Sequence, residues 1–271
     1  MYRQFYGLTG HSFTKDIPVS KLFMSRDLKE FMSRMEYLKT IRGIALVFGE
    51  SGAGKTTALR SFVDSLNPQQ YSPVYLPLAS VTVIDFYRHL AVGLGLLPRF
   101  RKVDIYHQIQ QHISNQSSQH GQIPVIIVDE AHHLRHELLH ELQMIMNFHM
   151  DSKNLAILVL AGTPSIVPMV KIRIHDSFLQ RVVVHHEFTG LEPDEAAPYF
   201  ESMLRAAGAV APIFTPDAIA AIYQLSHGMP RLINQIASKC LLVGYAHEAR
   251  AIDSKIVQEA VSDSLRISVG P

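Results

Sequence analysis

The sequence predicts an α/β fold, a parallel-sheet body followed by a small all-α domain. Three observations predict it. Short apolar runs alternate with helical periodicity as far as about residue 190. A glycine-rich phosphate-loop pattern lies between the first of those runs and the helical stretch after it. Beyond Leu191 only amphipathic helical patterns follow. The composition agrees. The chain has 271 residues, 47% hydrophobic and 18% charged, with a net charge of +1. That is a globular composition and excludes a disordered, collagen-like or coiled-coil chain. The length suits one large domain, or one domain with a small companion, and carries a core without metal or disulfide. The single cysteine, Cys240, allows no intrachain disulfide and fits a reducing compartment.

The expected strands are Gly43–Gly49 and residues 73–78, 124–129 and 155–162, each a short apolar run bounded by turn residues. Such runs suit strands buried on both faces of a parallel sheet. A fifth run, Val182–Phe188, is interrupted by His185 and His186. Helical periodicity lies between them over Arg26–Ile41 and residues 55–66, 83–94, 103–114 and 137–148. Strands alternating with helices argue for an open sheet with helices on both faces. Residues 193–207, 216–226, 231–246 and 254–265 then read as four amphipathic helices, with Pro193 and Pro216 where a first turn tolerates proline. The expected domains are therefore residues 1–190 and 191–271. Their charges differ: 19 Lys/Arg against 15 Asp/Glu give the first +4, and 6 against 9 give the second −3.

No apolar run approaches the roughly 20 residues of a membrane helix. The amino terminus, Met1-Tyr2-Arg3-Gln4-Phe5-Tyr6-Gly7, lacks the apolar stretch of a signal peptide. The expectation is a soluble, cytoplasmic protein.

Gly49-Glu50-Ser51-Gly52-Ala53-Gly54-Lys55-Thr56 matches G-x-x-x-x-G-K-[ST] at every fixed position, and Thr57 follows it. It ends an expected strand and opens an expected helix, the context the pattern requires. Glycines let backbone N–H groups turn inward around a phosphate, where the helix dipole adds to the attraction. Lys55 is expected to reach the β- and γ-phosphates of ATP, and Thr56 to bind Mg²⁺. Downstream, the apolar run 124–128 ends in Asp129-Glu130. In this Walker B arrangement Asp129 serves Mg²⁺ and Glu130 polarises the attacking water. The second carboxylate favours hydrolysis over phosphoryl transfer to a small molecule. A plain helix cap is the bland reading of an acidic strand end.

Two other spellings are weighed and set aside. Asp129-Glu130-Ala131-His132 spells the DEAH box of a helicase superfamily, whose members close ATP between two sheet domains. The expected organisation has one. His136-Glu137-Leu138-Leu139-His140 spells H-E-x-x-H, the zinc protease pattern, and puts two histidines on one helix face. A third ligand is missing from the sequence after it, and 15 histidines make chance spacing easy.

With these motifs in this order the sequence resembles an AAA+ ATPase, a P-loop NTPase with a helical lid. More narrowly it is similar to the ExeA-like branch, which holds the general-secretion ATPase and transposition ATPases of the TniB, TnsC and Mu B kind. The resemblance spans the chain: Phe5-Tyr6-Gly7-Leu8 with Phe13, Gly49 to Thr57, Val128-Asp129-Glu130-Ala131-His132, Ala161-Gly162-Thr163-Pro164, Phe178-Leu179-Gln180-Arg181-Val182 and Gly228-Met229-Pro230-Arg231. It implies that Thr163 is sensor 1, though Thr-Pro stands where secretion ATPases usually have Gln-Pro. It implies that Arg231 is sensor 2, and that Arg181 is the arginine finger completing a neighbour's site, with Arg173 as the fallback. A guanidinium there offsets charge developing on the transferred phosphoryl group. For both arginines the bland reading is a surface ion pair. A finger acting in trans implies a homo-oligomer, a ring or filament. The aromatic amino-terminal segment is expected either near the adenine or as a cap on the sheet edge.

One patch bears on the partner. Pro98-Arg99-Phe100-Arg101-Lys102 lies between two expected helices after the second strand, a region that the resemblance places against the DNA backbone. Cations repeated around an oligomer neutralise phosphates additively and without sequence preference. A solvated loop is the bland alternative. The leading expectation is an ATP-dependent DNA-binding regulator that recruits or activates a transposase at target DNA. The alternative is an ExeA-type secretion ATPase without the membrane and peptidoglycan-binding regions. A stand-alone P-loop kinase or switch comes third.

Overall fold

The computed structural model describes residues 2–14, 16–77, 82–149 and 152–268. They divide into two compact units. One contains residues 30–51 and 55–188; the other contains residues up to Lys29, Gly52–Gly54 and the chain from Thr189 onward.

The first unit is built on five parallel strands: β1 (Gly43–Gly49), β2 (Tyr71–Leu76), β3 (Ile123–Val128), β4 (Ile157–Gly162) and β5 (Val182–Phe188), in the order β2-β3-β4-β1-β5. Its longer helices are α1 (Arg26–Ile41, from residue 30), α2 (Lys55–Ser65), α3 (Val83–Gly93), α4 (Lys102–Asn115) and α5 (His136–Ile145). The apolar runs of β1, β3 and β4 are explained by position. They are the three interior strands, and every residue of β3 and β4 is buried. Ile44, Leu46, Ile126, Val128, Leu158 and Leu160 share one core with α3, α4 and α5. Their alternates, Ala45, Val47, Val125, Ile127, Val159 and Ala161, are equally buried. Phe31, Met35 and Leu38 of α1 and Phe62 of α2 are fully buried too, and the Phe31 ring lies 5.4 Å from Phe188 and 6.5 Å from Phe62.

The outer strands differ from expectation. Within β2 only Val74 and Leu76 are buried, so the run at 73–78 is not covered on both faces; Leu78 lies outside the described residues. An edge strand keeps one face covered and turns the alternate side chains outward. Strand β5, the opposite edge, alternates likewise, and its interrupting His186 is buried beside Phe31 and Phe188. Helix α5 stops at Ile145 rather than 148, because Phe148 leaves the helix to bridge Lys153.

The second unit holds α6 (Ala196–Ala206), α7 (Pro216–Ser226), α8 (Pro230–Ala246) and α9 (Ser254–Ser268). Pro216 and Pro230 occupy first turns, and the Thr215 hydroxyl accepts from the Ala218 N–H at 3.4 Å. Its core joins Phe200, Leu204, Phe214, Ile222, Ile233, Leu241 and Ile252. Tyr6, Leu8 and Phe13 belong to the same core. Phe13 packs 5.2 Å from Phe200 and 5.7 Å from Phe214, and Tyr6 donates to the Ala249 carbonyl at 2.9 Å. Within its own unit the aromatic amino-terminal segment thus completes a helical core. Large rings are buried where the greatest apolar area leaves water.

Candidate functional site

Parallel strands deliver the ends of β1, β4 and β3 to one edge of the sheet. Phe48 stands opposite Gly162, and Val128 opposite Leu160. The loop after Gly49, Thr163, Asp129 and Glu130 therefore gather at the carboxyl edge, where open α/β sheets bind ligands. Gly49 has to be glycine, since a Cβ there would stand 2.4 Å from the Phe188 carbonyl oxygen. Lys55 opens α2 and is buried, with Nζ donating to the carbonyls of Gly49 at 2.6 Å and Glu50 at 2.9 Å. Ala53 is buried, Glu50, Ser51 and Thr56 are exposed, and Thr57 is half-buried. At Gly54, φ is +109°, and among the described residues nothing beyond its chain neighbours lies within 4 Å of where a Cβ would stand. The loop keeps open space on that side.

Asp129 is buried, at 4% exposure, yet its carboxylate collects three donors. Thr56 Oγ1 donates to Oδ2 at 3.2 Å, the Tyr75 hydroxyl to the same oxygen at 2.8 Å, and the Glu130 N–H to Oδ1 at 2.9 Å. The sequence reading missed Tyr75. Its outward place on the edge strand β2 leaves the ring half-exposed while its hydroxyl reaches the end of β3. Burial, then the bond to Asp129, pushes the Tyr75 hydroxyl above its ordinary pKa, so it remains a donor.

Glu130 sits at φ 54°, ψ 33°, the left-handed region that costs a non-glycine residue roughly 1–2 kcal/mol. Strain of this kind collects at functional sites. The turn that follows, Ala131–His133, brings His132 Nδ1 to 3.5 Å from Glu130 Oε2. The same Nδ1 accepts the Thr163 N–H at 3.3 Å, and the His132 backbone packs against Gly162. Thr163 Oγ1 is 2.7 Å from Ser165 Oγ. Burial first, then neighbouring His133, holds the His132 pKa below its ordinary value, which suits a neutral ring accepting at Nδ1. His132 is thus a second residue the sequence reading did not assign. Its signal was present, as the fourth letter of the DEAH spelling.

Arg181 is not brought to this edge. It precedes β5, and β5 runs parallel to β1 with Val182 opposite Ile44 and Phe188 opposite Gly49. Six residues of strand, about 20 Å at 3.3 Å per residue, separate it from the phosphate loop of its own chain. One of its guanidinium nitrogens donates to the Gln143 carbonyl at 3.3 Å. Arg173 is exposed. In the helical unit, which includes Gly52–Gly54, the Arg231 N–H donates to the Gly52 carbonyl at 3.2 Å.

In the basic patch, Arg99 and Arg101 are exposed; Arg101 lies 3.4 Å from Asp104. Phe100 beside them is 84% exposed. Lys102 is engaged instead by Glu141, which also accepts from Tyr87 at 2.6 Å, and it lies over the Tyr87 ring. The H-E-x-x-H histidines do not converge on one point with a third ligand. His136 Nδ1 lies 2.8 Å from His175 Nε2, a hydrogen bond between rings. Among the described residues, the group of three ligands able to meet on one ion is Glu130, His132 and His133.

The hard oxygens of Thr56 and Asp129, side by side, fit Mg²⁺. The open glycine loop, ending on a buried lysine, fits a polyphosphate. Among the described residues no helix is long and apolar enough to cross a membrane.

Residues 39–170 match a protein-family model described as an AAA domain. The chain is 31% identical over 264 residues to "General secretion pathway protein A" of Aeromonas hydrophila, covering 93% of this chain and 46% of that protein. It is 30% identical over 122 residues to "Mu-like prophage FluMu DNA transposition protein B" of Haemophilus influenzae, covering 43% of this chain and 38% of that protein. The chain thus spans less than half the length of either curated relative. Among solved structures, Cdc6p of Pyrobaculum aerophilum superposes with a TM-score of 0.70 at 14% identity, over 93% of this chain and 70% of that one. The Aeropyrum pernix ORC1 protein, solved in complex with DNA, superposes at 0.66 and 16% identity, over 93% and 68%.

Proposed function

We propose that this chain, whose residues 39–170 match an AAA domain model and which is similar to a secretion-pathway and a transposition protein, binds ATP with Mg²⁺, hydrolyses the ATP, and assembles with itself on DNA. The observation that carries the ATPase reading is the gathering at one sheet edge of a phosphate loop, a buried lysine, a Thr56–Asp129 oxygen pair and the strained Glu130. Bound Mg²⁺ would offset charge on the phosphates. Residues 49–57 wrap the phosphates, and Lys55 leaves its two loop carbonyls for phosphate oxygens. Thr56 and Asp129 hold the metal, with Tyr75 orienting Asp129. Glu130 takes up the proton of the attacking water. Thr163, tied to the Glu130 turn through His132, reports the γ-phosphate to it. Arg231, in the helical unit, is the residue proposed to contact the nucleotide as a second sensor. Arg181, at the far edge of its own sheet, serves a neighbouring subunit; Arg173 is the fallback.

Arg99, Arg101 and Lys102 are the proposed DNA contacts, to the backbone and with little sequence preference. Exposed Phe100 between two cations suits such a surface. The relative named as a DNA transposition protein supports a role in transposition; the partner we propose for that role is a transposase, and its place of action the cytoplasm. A secretion role is the second reading, favoured by the match over 93% of this chain to the secretion-pathway protein.

Sedimentation and electron microscopy of the protein with duplex DNA, with and without a slowly hydrolysed ATP analogue, test the proposal. A DNA-bound oligomer that requires the analogue is expected. Failure to bind DNA in either condition overturns the transposition reading in favour of the secretion one.

A further inference from the structure

The turn after β3 carries a donor set that the hydrolytic roles of Glu130 and His132 do not account for. His132 and His133 are adjacent, with ring centroids 4.0 Å apart, and each offers a nitrogen within 4.8 Å of the other's and of a Glu130 carboxylate oxygen. Two imidazoles and one carboxylate form a donor set for a borderline divalent transition metal, and three protein ligands with open positions is a common coordination for zinc. Mg²⁺, which prefers oxygen, does not compete for it. The backbone prepares this convergence. Left-handed Glu130 and the tight turn Ala131–His133 fold three donors toward one point, while contact with Gly162 and Thr163 steadies His132. Glu130 and His133 are exposed, so an ion can reach them and their side chains can close the last ångström.

From this geometry we infer that Glu130, His132 and His133 form a Zn²⁺ site whose occupation switches hydrolysis off. Two consequences follow from ligand chemistry. Zinc takes the Glu130 carboxylate, which then no longer accepts a proton from water. It also breaks the His132–Thr163 link, whichever ring nitrogen it uses. At Nδ1 it occupies the lone pair that accepts the Thr163 N–H. At Nε2 it obliges a neutral ring to carry its proton on Nδ1, donor facing donor. The binding half stands on the three ligands alone; the inhibitory half rests on the reading of Glu130 as the base.

The experiment separates the two. Zn²⁺ binding to the full chain is measured by competition with a chromophoric chelator, beside turnover of ATP in saturating Mg²⁺. The wild type is expected to bind one Zn²⁺ per chain and to lose turnover as that site fills, with recovery on chelation. His133→Gln removes one exposed ligand. Because losing even an outer-shell partner weakens a metal site 10–100-fold, the loss expected here is on the order of 100-fold. Its turnover without zinc should match the wild type and resist zinc. His133→Cys, which restores a ligand, should restore both binding and inhibition. Absence of a stoichiometric site in the wild type, or a site unaffected by His133→Gln but lost in His136→Gln, overturns the proposal. Zinc bound at the predicted residues without inhibition overturns its regulatory half. A wild type that never turns over ATP leaves the binding result decisive and refutes the ATPase reading instead.

Discussion

The Tyr75 hydroxyl gives the most selective test of the metal-holding carboxylate. Asp129 is almost fully buried, and its Oδ2 has two side-chain donors, Thr56 at 3.2 Å and Tyr75 at the shorter 2.8 Å. Tyr75→Phe removes the shorter bond and little else, because the ring stays on an edge strand where it is 49% exposed. A hydrogen bond to a charged group contributes about 1.5–3 kcal/mol, and the exposure of Tyr75 argues for the lower half of that range. Independently, losing an outer-shell partner weakens a metal site 10–100-fold, equivalent to about 1.4–2.7 kcal/mol. The two routes agree. Tyr75→Phe should therefore raise the free Mg²⁺ needed for half-maximal turnover by about tenfold or somewhat more. ATP binding in the absence of Mg²⁺ should hardly move, and the melting temperature should fall by only a few degrees, as the loss of about 1.5–2 kcal/mol predicts for a chain of this size. Initial rates over a Mg²⁺ titration, with nucleotide binding and thermal melts as controls, measure all three. Superimposable Mg²⁺ titrations for wild type and variant would refute the argument that this hydroxyl positions Asp129.

Lys55→Ala should abolish nucleotide binding, whereas Glu130→Gln should bind ATP, cut turnover on the order of 10²–10⁴-fold and hold the ATP-bound oligomer; equilibrium binding, turnover and sedimentation check this. Arg181→Ala should spare binding and lower turnover by about 10³–10⁵-fold, and mixing it with Glu130→Gln chains should restore part of the activity if the finger acts in trans. Neutralising Arg99, Arg101 and Lys102 together should weaken duplex binding uniformly across sequences and reduce its salt slope by about one for each DNA phosphate no longer neutralised, as read by titration at several salt concentrations. His112, His132 and His175 are all held below the ordinary 6.5, burial being the first cause in each. As pH falls through 6.5 the unfolded chain therefore takes up protons before the folded one. Stability is present above that pH and is lost progressively below it, so thermal melts should fall between about pH 7 and pH 5.

What was legible in the sequence is what depends on local pattern. The phosphate loop demands particular residues at four fixed places within eight, and interior strands must be apolar throughout, so both announce themselves. The edge strand β2 was readable as a strand but not as an edge, since Pro73 to Leu76 contains the same residue types whether one face is covered or two. Tyr75 and His132 were hidden for a related reason. Their partners, Asp129 and Thr163, lie 54 and 31 residues away and meet them only through neighbouring strands. Phe5, Tyr6 and Phe13 advertised burial without naming a partner, and the helical core that receives them lies nearly two hundred residues on. H-E-x-x-H misled in the opposite sense. Its spacing is correct for zinc, yet its first histidine is taken by His175, while the donors that do converge sit one turn earlier, on and just after the Walker B glutamate.

The sheet limits what Arg181 can reach within its own chain. All five strands are parallel, so every residue that follows a strand lies at one edge and every residue that precedes one lies at the other. Lys55, Thr56, Asp129, Glu130 and Thr163 all follow strands; Arg181 precedes one. No side-chain rotation carries a guanidinium across about 20 Å of strand. If turnover depends on Arg181, it depends on a second copy whose far edge faces this one's near edge, a head-to-tail contact that propagates as a ring or an open helix. Hydrolysis would then be a property of the assembly, and dilution of the wild type below its association range should abolish turnover per chain. Turnover per chain that stays constant on dilution to a demonstrably monomeric concentration would remove Arg181 from the reaction.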